Sequence, residues 1–199
     1  MPTADLQPEV ERTLKRAIRA LDEADVPFML GGGLAAWAHG GPAGTYDVDL
    51  MVRPEDAPRA LEALEAAGMR PEDPPEQWLL KAFDDDVLVD VIHEPSGLPI
   101  TDEVFERGQR LNVCAMRTRV MALEDVFATK LFSMNDNSLD YGPLIKMARA
   151  VREQVDWADV RRRTEGSPYA RGFFALAAEL DLVEVAGQSR RPSASVRAI

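Results

Sequence analysis

The sequence predicts an α+β fold: a mixed sheet with flanking helices, then a C-terminal helical bundle from about Ala122. Two observations carry this. Short apolar runs alternate with stretches of helical spacing through the first 120 residues, whereas beyond Ala122 the apolar spacing is helical throughout. The 199 residues, 46% hydrophobic and 29% charged, have ordinary globular composition, which excludes a fibrous or wholly disordered chain. We divide the chain into an α/β core over 1–120, a helical region over 121–184 and a tail over 185–199. The tail has no core pattern and is expected to be flexible.

Val10, Leu14, Ile18 and Leu21 recur at spacings of four, four and three, which predicts an amphipathic helix over Pro8–Ala24. Val26–Leu30 is a short apolar run that stops at Gly31-Gly32-Gly33, a strand ending in a turn. Leu34–Ala38 reads as a short helix. Val48, Leu50 and Val52 alternate with Asp47, Asp49 and Met51, a strand. Pro54 opens a helix that ends at Gly68. Trp78–Phe83 and Val87–Ile92 flank Asp84-Asp85-Asp86 and read as a hairpin. Gln109–Met116 is a further strand. Helices follow over Ala122–Met134, Tyr141–Val151, Trp157–Arg163 and Pro168–Leu180; the last starts from Ser167-Pro168, an N-cap serine before proline at the first helical position.

Composition narrows the chemistry. A single cysteine excludes an internal disulfide and a cysteine zinc site, and two histidines argue against a histidine-ligated zinc centre. The N-terminus lacks a basic-then-apolar signal pattern and no segment is apolar enough to span a bilayer, so a cytoplasmic protein without membrane partners is expected. The net charge is −11, which argues against non-specific binding to long nucleic acid. Its distribution is uneven: 8 Lys/Arg against 23 Asp/Glu in residues 1–106, and 15 against 11 in residues 107–199. Such a split suits a polyanion gripped at one end and met by cation-loaded carboxylates at the other. Arg149, Arg152, Arg161, Arg162, Arg163 and Arg171 read first as a solvated, salt-bridged surface, with contact to an RNA backbone as the alternative.

The segment around Gly31–Val52 is the most informative. Side chains two apart on a strand share a face, so Asp47 and Asp49 project together, and two such carboxylates repel unless a cation lies between them. An oxygen-rich, histidine-free set suits Mg²⁺. Gly31, Gly32 and Gly33 before a helix let backbone N–H groups converge, a place for a triphosphate. Asp90, set among Val87, Leu88, Val89, Val91 and Ile92, is a carboxylate in an apolar strand, costly unless it meets a cation or donors. Lys130 falls in the apolar stripe Leu123, Phe127, Lys130, Met134 and should reach an anion; the alternative is snorkelling to water. Asp140 precedes a predicted helix and could cap it.

Gly-Gly, a short helix, Thr45-x-Asp47-x-Asp49 on a strand and a later lone Asp90 together resemble the DNA polymerase β-like nucleotidyltransferase superfamily. The run Ala122–Leu131 with Ser138-Leu139-Asp140-Tyr141 is similar to its AbiEii/MenT toxin-type branch, and the stretch from Ala148-Arg149 through Val155-Asp156-Trp157 to Ser167-Pro168-Tyr169-Ala170 is similar to small actinobacterial members of that branch. The resemblance implies a nucleotidyltransferase core in which Asp47, Asp49 and Asp90 hold two Mg²⁺ ions, with Asp47, Asp49, Lys130 and Asp140 catalytic. Gly31, Gly32, Gly33, Thr45 and Lys130 would bind the nucleoside triphosphate. It implies transfer of a nucleotide to a tRNA 3′ end, with a cognate antitoxin as partner, and makes Thr45 a modification target, against a structural role in the glycine turn. Relatives often carry Ser at Gly33 and an Arg just before the Thr, where this chain has Ala43-Gly44; triphosphate contacts then fall to backbone amides, Arg53 or Lys130. Alternatives are a small-molecule hydroxyl or a protein side chain as acceptor, or a catalytically inactive domain that binds a partner.

Overall fold

The structure, a computed structural model, describes residues 6–43 and 47–183. Thr45 and the tail over 185–199 lie outside the described residues. Helix α1 (Pro8–Glu23) leads to strand β1 (Met29–Leu30), helix α2 (Gly32–Ala38) and strand β2 (Asp47–Met51). A 3₁₀ turn at Pro54–Asp56 precedes α3 (Ala57–Ala66); β3 (Arg70–Glu72), β4 (Leu79–Asp84) and β5 (Val87–Ile92) follow. Then come α4 (Asp102–Arg107), β6 (Gln109–Val113), β7 (Met116–Val120), α5 (Leu123–Phe132), α6 (Gly142–Val151), α7 (Trp157–Thr164) and α8 (Pro168–Glu179).

The seven strands form one mixed sheet in the order β3-β4-β5-β2-β1-β7-β6. β2 runs parallel to β5 and β1 parallel to β7; the other neighbours are antiparallel. Register sorts the side chains onto two faces. Leu30 pairs with both Leu50 and Val120, and Leu50 with Val91, so these four share one face. Asp47, Asp49, Asp90, Lys81 and Arg119 therefore share the other. Helix α1 packs on the first face. Its Leu14, Ile18 and Leu21 are wholly buried, and Thr13 Oγ1 donates to Asp84 Oδ2 at 2.7 Å while Arg16 pairs with the same carboxylate. No helix among the described residues is long and apolar enough to cross a membrane.

Three local expectations are corrected. The strand expected over Gln109–Met116 is a hairpin, β6–β7, because Cys114 and Ala115 both take positive φ (50° and 65°), a reversal that normally calls on glycine or asparagine and so carried no signal. Strand β1 is two residues rather than five, since only Met29 and Leu30 find ladder partners on β2 and only Leu30 finds one on β7. The short edge strand β3 and helix α4 went unread, being too brief for a period to emerge. Ser167 caps α8 as expected, its Oγ accepting from Ala170 N–H.

Helices α5, α7 and α8 meet through aromatic rings, Phe127 lying 4.7 Å from Trp157 at 62° and 6.5 Å from Phe173. Four arginines of this region are engaged within the chain. Arg162 and Arg163 pair with Asp159, Arg152 pairs with Glu153, and the Arg161 guanidinium lies 4.8 Å from the centre of the Phe174 ring.

Candidate active site

The site is built where β1 ends and β2 begins. Gly31 is extended and Gly32, at φ +50°, turns the chain straight into α2. Gly31 N–H donates to the Asp49 carbonyl at 2.9 Å, which stitches the turn to β2. A larger residue at either glycine would have to displace a β2 side chain. A Cβ on Gly31 would sit 2.2 Å from Met51 Cε, and one on Gly32 would sit 1.8 Å from Asp49 Oδ2. The Asp49 carboxylate thus lies over the turn, near enough to the Gly33 N–H for that amide to favour its charged form.

Parallel pairing of β2 with β5 sets Asp49 directly beside Asp90, with Asp47 one pleat further on the same face. One carboxylate oxygen from each of the three lies within 4.8 Å of the others. The antiparallel β4–β5 pairing places Lys81 opposite Asp90, and Lys81 Nζ stands 3.6 Å from Glu76 Oε2. Lys81 and Glu76 were not expected from the sequence.

Electrostatics follow the crowding. Burial pushes the Asp49 carboxyl up to about 7; Asp47 and Asp90 add to this, while Lys130 and the Gly33 N–H work against it. Asp90 is raised to about 6, chiefly by burial, with Asp47 and Glu76 reinforcing and Lys81 opposing. Asp90 Oδ1 is buried and has no hydrogen-bond partner among the described residues. An all-oxygen triad with an orphaned buried acceptor fits a hard divalent cation, which would relieve both the mutual repulsion and the missing partner.

The other expected residues divide. Lys130, on α5, is partly buried and feels Asp49 electrostatically, so it belongs to this neighbourhood. Asp140 is exposed, and its Oδ1 accepts the Gly142 N–H at 2.8 Å, bracing the start of α6; it is not among the clustered carboxylates. Arg53 is absent from the site. It lies beyond the opposite end of β2, bonded to Asp102 at 2.7 Å and Asp56 at 3.3 Å.

Gly32→Ala is expected to weaken Mg²⁺ binding by about tenfold or more, because the new methyl must displace Asp49 and the backbone must hold an alanine at positive φ, roughly 1 kcal/mol of strain. Calorimetric titration with Mg²⁺ checks this, and an unchanged affinity would show that Asp49 need not sit over the turn.

A family model described as "Uncharacterised nucleotidyltransferase" matches residues 4–189. No curated protein matches the sequence significantly. Among solved structures, the chain is similar to the antibiotic-resistance factor ANT(2'')-Ia, with a TM-score of 0.61 and 16% identity over 86% of this chain and 96% of that one. The same protein in complex with adenylyl-2''-tobramycin gives 0.59 and 15%, over 83% and 97%. The lincosamide antibiotic adenylyltransferase LnuA, lincomycin-bound, gives 0.51 and 10%, over 72% and 96%. At these identities the likeness shows the fold.

Proposed function

The chain belongs to this nucleotidyltransferase family, and from that premise we propose that it moves a nucleoside monophosphate from a triphosphate to an acceptor hydroxyl at Asp47, Asp49 and Asp90. The observation that carries the reading is the convergence of those three carboxylates over the glycine turn, one of them with an unpartnered buried oxygen. Bound there, one or two Mg²⁺ ions would supply positive charge at the α-phosphate and at the acceptor oxygen. The glycine turn brings backbone close to the triad and opens α2, whose N-terminal dipole favours phosphate. Lys130 contributes a fixed positive charge beside Asp49, offsetting carboxylate or phosphate charge. A carboxylate oxygen of the triad takes the proton of the acceptor hydroxyl as the acceptor's oxygen bonds to the α-phosphorus. The bond from the α-phosphorus to its leaving oxygen breaks, and pyrophosphate departs with the electron pair.

For the acceptor we infer an RNA 3′ end, tRNA in the first instance, with an antitoxin as the protein partner; the toxin-type sequence features around Lys130 and Asp140 support this. A small-molecule hydroxyl is the second reading, favoured by the shared fold with antibiotic adenylyltransferases.

Incubating the protein with Mg²⁺, each α-labelled nucleoside triphosphate in turn, and either total tRNA or a panel of hydroxylated antibiotics separates these readings. Label is expected on the 3′ end of tRNA. Asp47→Ala should lower its rate at least about a thousandfold; undiminished labelling by that variant would remove Asp47 from the chemistry. Label on an antibiotic alone would shift the acceptor to the second reading.

A further inference from the structure

A second charged feature lies on the same sheet, towards the opposite end from the triad. Residues 107–121 contain four arginines and no carboxylate, in a chain of net charge −11. Most of this stretch is the β6–β7 hairpin at the sheet edge. Its register sets Arg110 directly opposite Arg119 and Arg117 opposite Asn112, so three guanidinium groups leave from one face. Like charges directly opposite destabilise a strand pair. That face is the one carrying Asp47 and Asp49, two strands away.

Together with Arg53, Phe28 and Phe105, these arginines line a cleft of about 370 Å³. Asp22, Asp102 and Glu106 also border it, and they do not exhaust its positive charge. Arg53 is held by Asp102, and Arg119 donates to the Phe105 carbonyl at 2.5 Å. Arg110 and Arg117 are exposed and form no ion pair within 4 Å among the described residues. They differ in this from Arg162 and Arg163 of α7, which are paired with carboxylates within the chain. Two to three strand spacings and a rise of two to four residues along the strands put Arg110 and Arg117 on the order of 15–20 Å from the triad.

We propose that this cleft docks the phosphodiester backbone of the RNA acceptor a few nucleotides back from its reacting end, with Arg110 and Arg117 as the principal phosphate contacts. Guanidinium groups bind phosphate through paired N–H donors, and a strand anchored here leaves its terminus within reach of Asp47, Asp49 and Asp90. The catalytic consequence rests on the transfer reading above; the docking itself is independent of turnover.

The test is fluorescence anisotropy of a 5′-labelled single-stranded RNA dodecamer with the full chain, in EDTA, across a salt series. The wild-type protein is expected to bind with affinity that falls with salt. Arg110→Ala/Arg117→Ala should weaken binding about tenfold or more and flatten the salt slope by roughly 1.4, about 0.7 per lost phosphate contact. Arg162→Ala should leave both unchanged. Absence of wild-type binding, an unaffected double variant, or a loss carried instead by Arg162→Ala would each overturn the assignment. Melting temperatures establish that each variant folds. Asp47→Ala protein that binds RNA normally would uphold docking even where no nucleotide transfer is found, so failure of one reading is distinguishable from failure of the other.

Discussion

Asp49→Asn, kept metal-free at pH 8, is expected to melt above the wild-type protein while losing nucleotide transfer. The reason is the sign of the strain at the triad. In the folded chain the Asp49 carboxyl is raised to about 7 from an ordinary 3.8, so the folded state binds its proton more tightly than the unfolded state does. Below about pH 4 both states hold the proton and Asp49 exacts no cost. Between about pH 4 and 7 the unfolded chain releases its proton first, and stability falls as pH rises. Above about 7 the full penalty of holding a crowded, buried carboxylate is in place, on the order of 2–4 kcal/mol. Asparagine keeps an oxygen near the Gly33 N–H and removes the charge, at the smaller cost of a lost attraction to Lys130. The gain in melting temperature should therefore be clear at pH 8 and vanish towards pH 4. Mg²⁺ should stabilise the wild type at pH 8 and do so much less for the variant. Thermal melts at pH 4, 6 and 8, in EDTA and in Mg²⁺, check all three expectations. An Asp49→Asn protein that melts below the wild type in EDTA at pH 8 would mean that this carboxylate stabilises the fold, contrary to the geometry.

The second large effect concerns Asp125, which the site does not use. Its carboxylate is 2% exposed and gathers two arginines: Arg107, at the end of α4, donates through Nε at 2.9 Å and Nη2 at 2.8 Å, and Arg163, on α7, donates to Oδ1. The same bonds raise the Arg107 pKa, the Asp125 hydrogen bonds being the main cause. Asp125 also lies in the first turn of α5, where a carboxylate complements the helix dipole. One buried charge thus ties α4, α5 and α7 together, and α5 is the helix that carries Lys130. Asp125→Ala leaves two arginines without their shared partner and should cost about 3–5 kcal/mol, on the order of 10 °C in melting temperature for a chain of this size. Arg162→Ala, which removes an exposed pair with Asp159, should change stability by no more than about 0.5 kcal/mol. Denaturant unfolding of both variants provides the comparison; a loss below about 1 kcal/mol for Asp125→Ala would show that the arginines find other partners.

Much of the site was legible because its signals are local. Two aspartates on alternate positions of one strand must share a face, and a glycine triplet between an apolar run and a helix must turn. The place of Lys81 was legible in principle. A two-residue connection at Asp85-Asp86 fixes the β4–β5 register, and that register puts residue 81 opposite residue 90. The run Asp84-Asp85-Asp86 hid it by making the length of the turn ambiguous. Asp84 belongs to the strand, where its buried carboxylate is answered by Thr13 and Arg16 from α1. Arg53 illustrates the opposite error: four residues from Asp49 in sequence, it is carried to the far end of β2 by the rise of the strand itself.

The sequence by itself determined most of the order of strands and helices, short of β3, α4 and the β6–β7 reversal, together with the pairing of Asp47 with Asp49, the glycine bend beside them and the acidic bias of the first half, since each depends on neighbours a few positions apart. Tertiary structure alone decided that Asp90 lies next to Asp49, that Asp49 folds over Gly32, and that three arginines of an edge hairpin share the sheet face of the triad. Those relations follow from the register of strands far apart in the chain, which is set by how the whole sheet buries its apolar side chains and not by any local pattern.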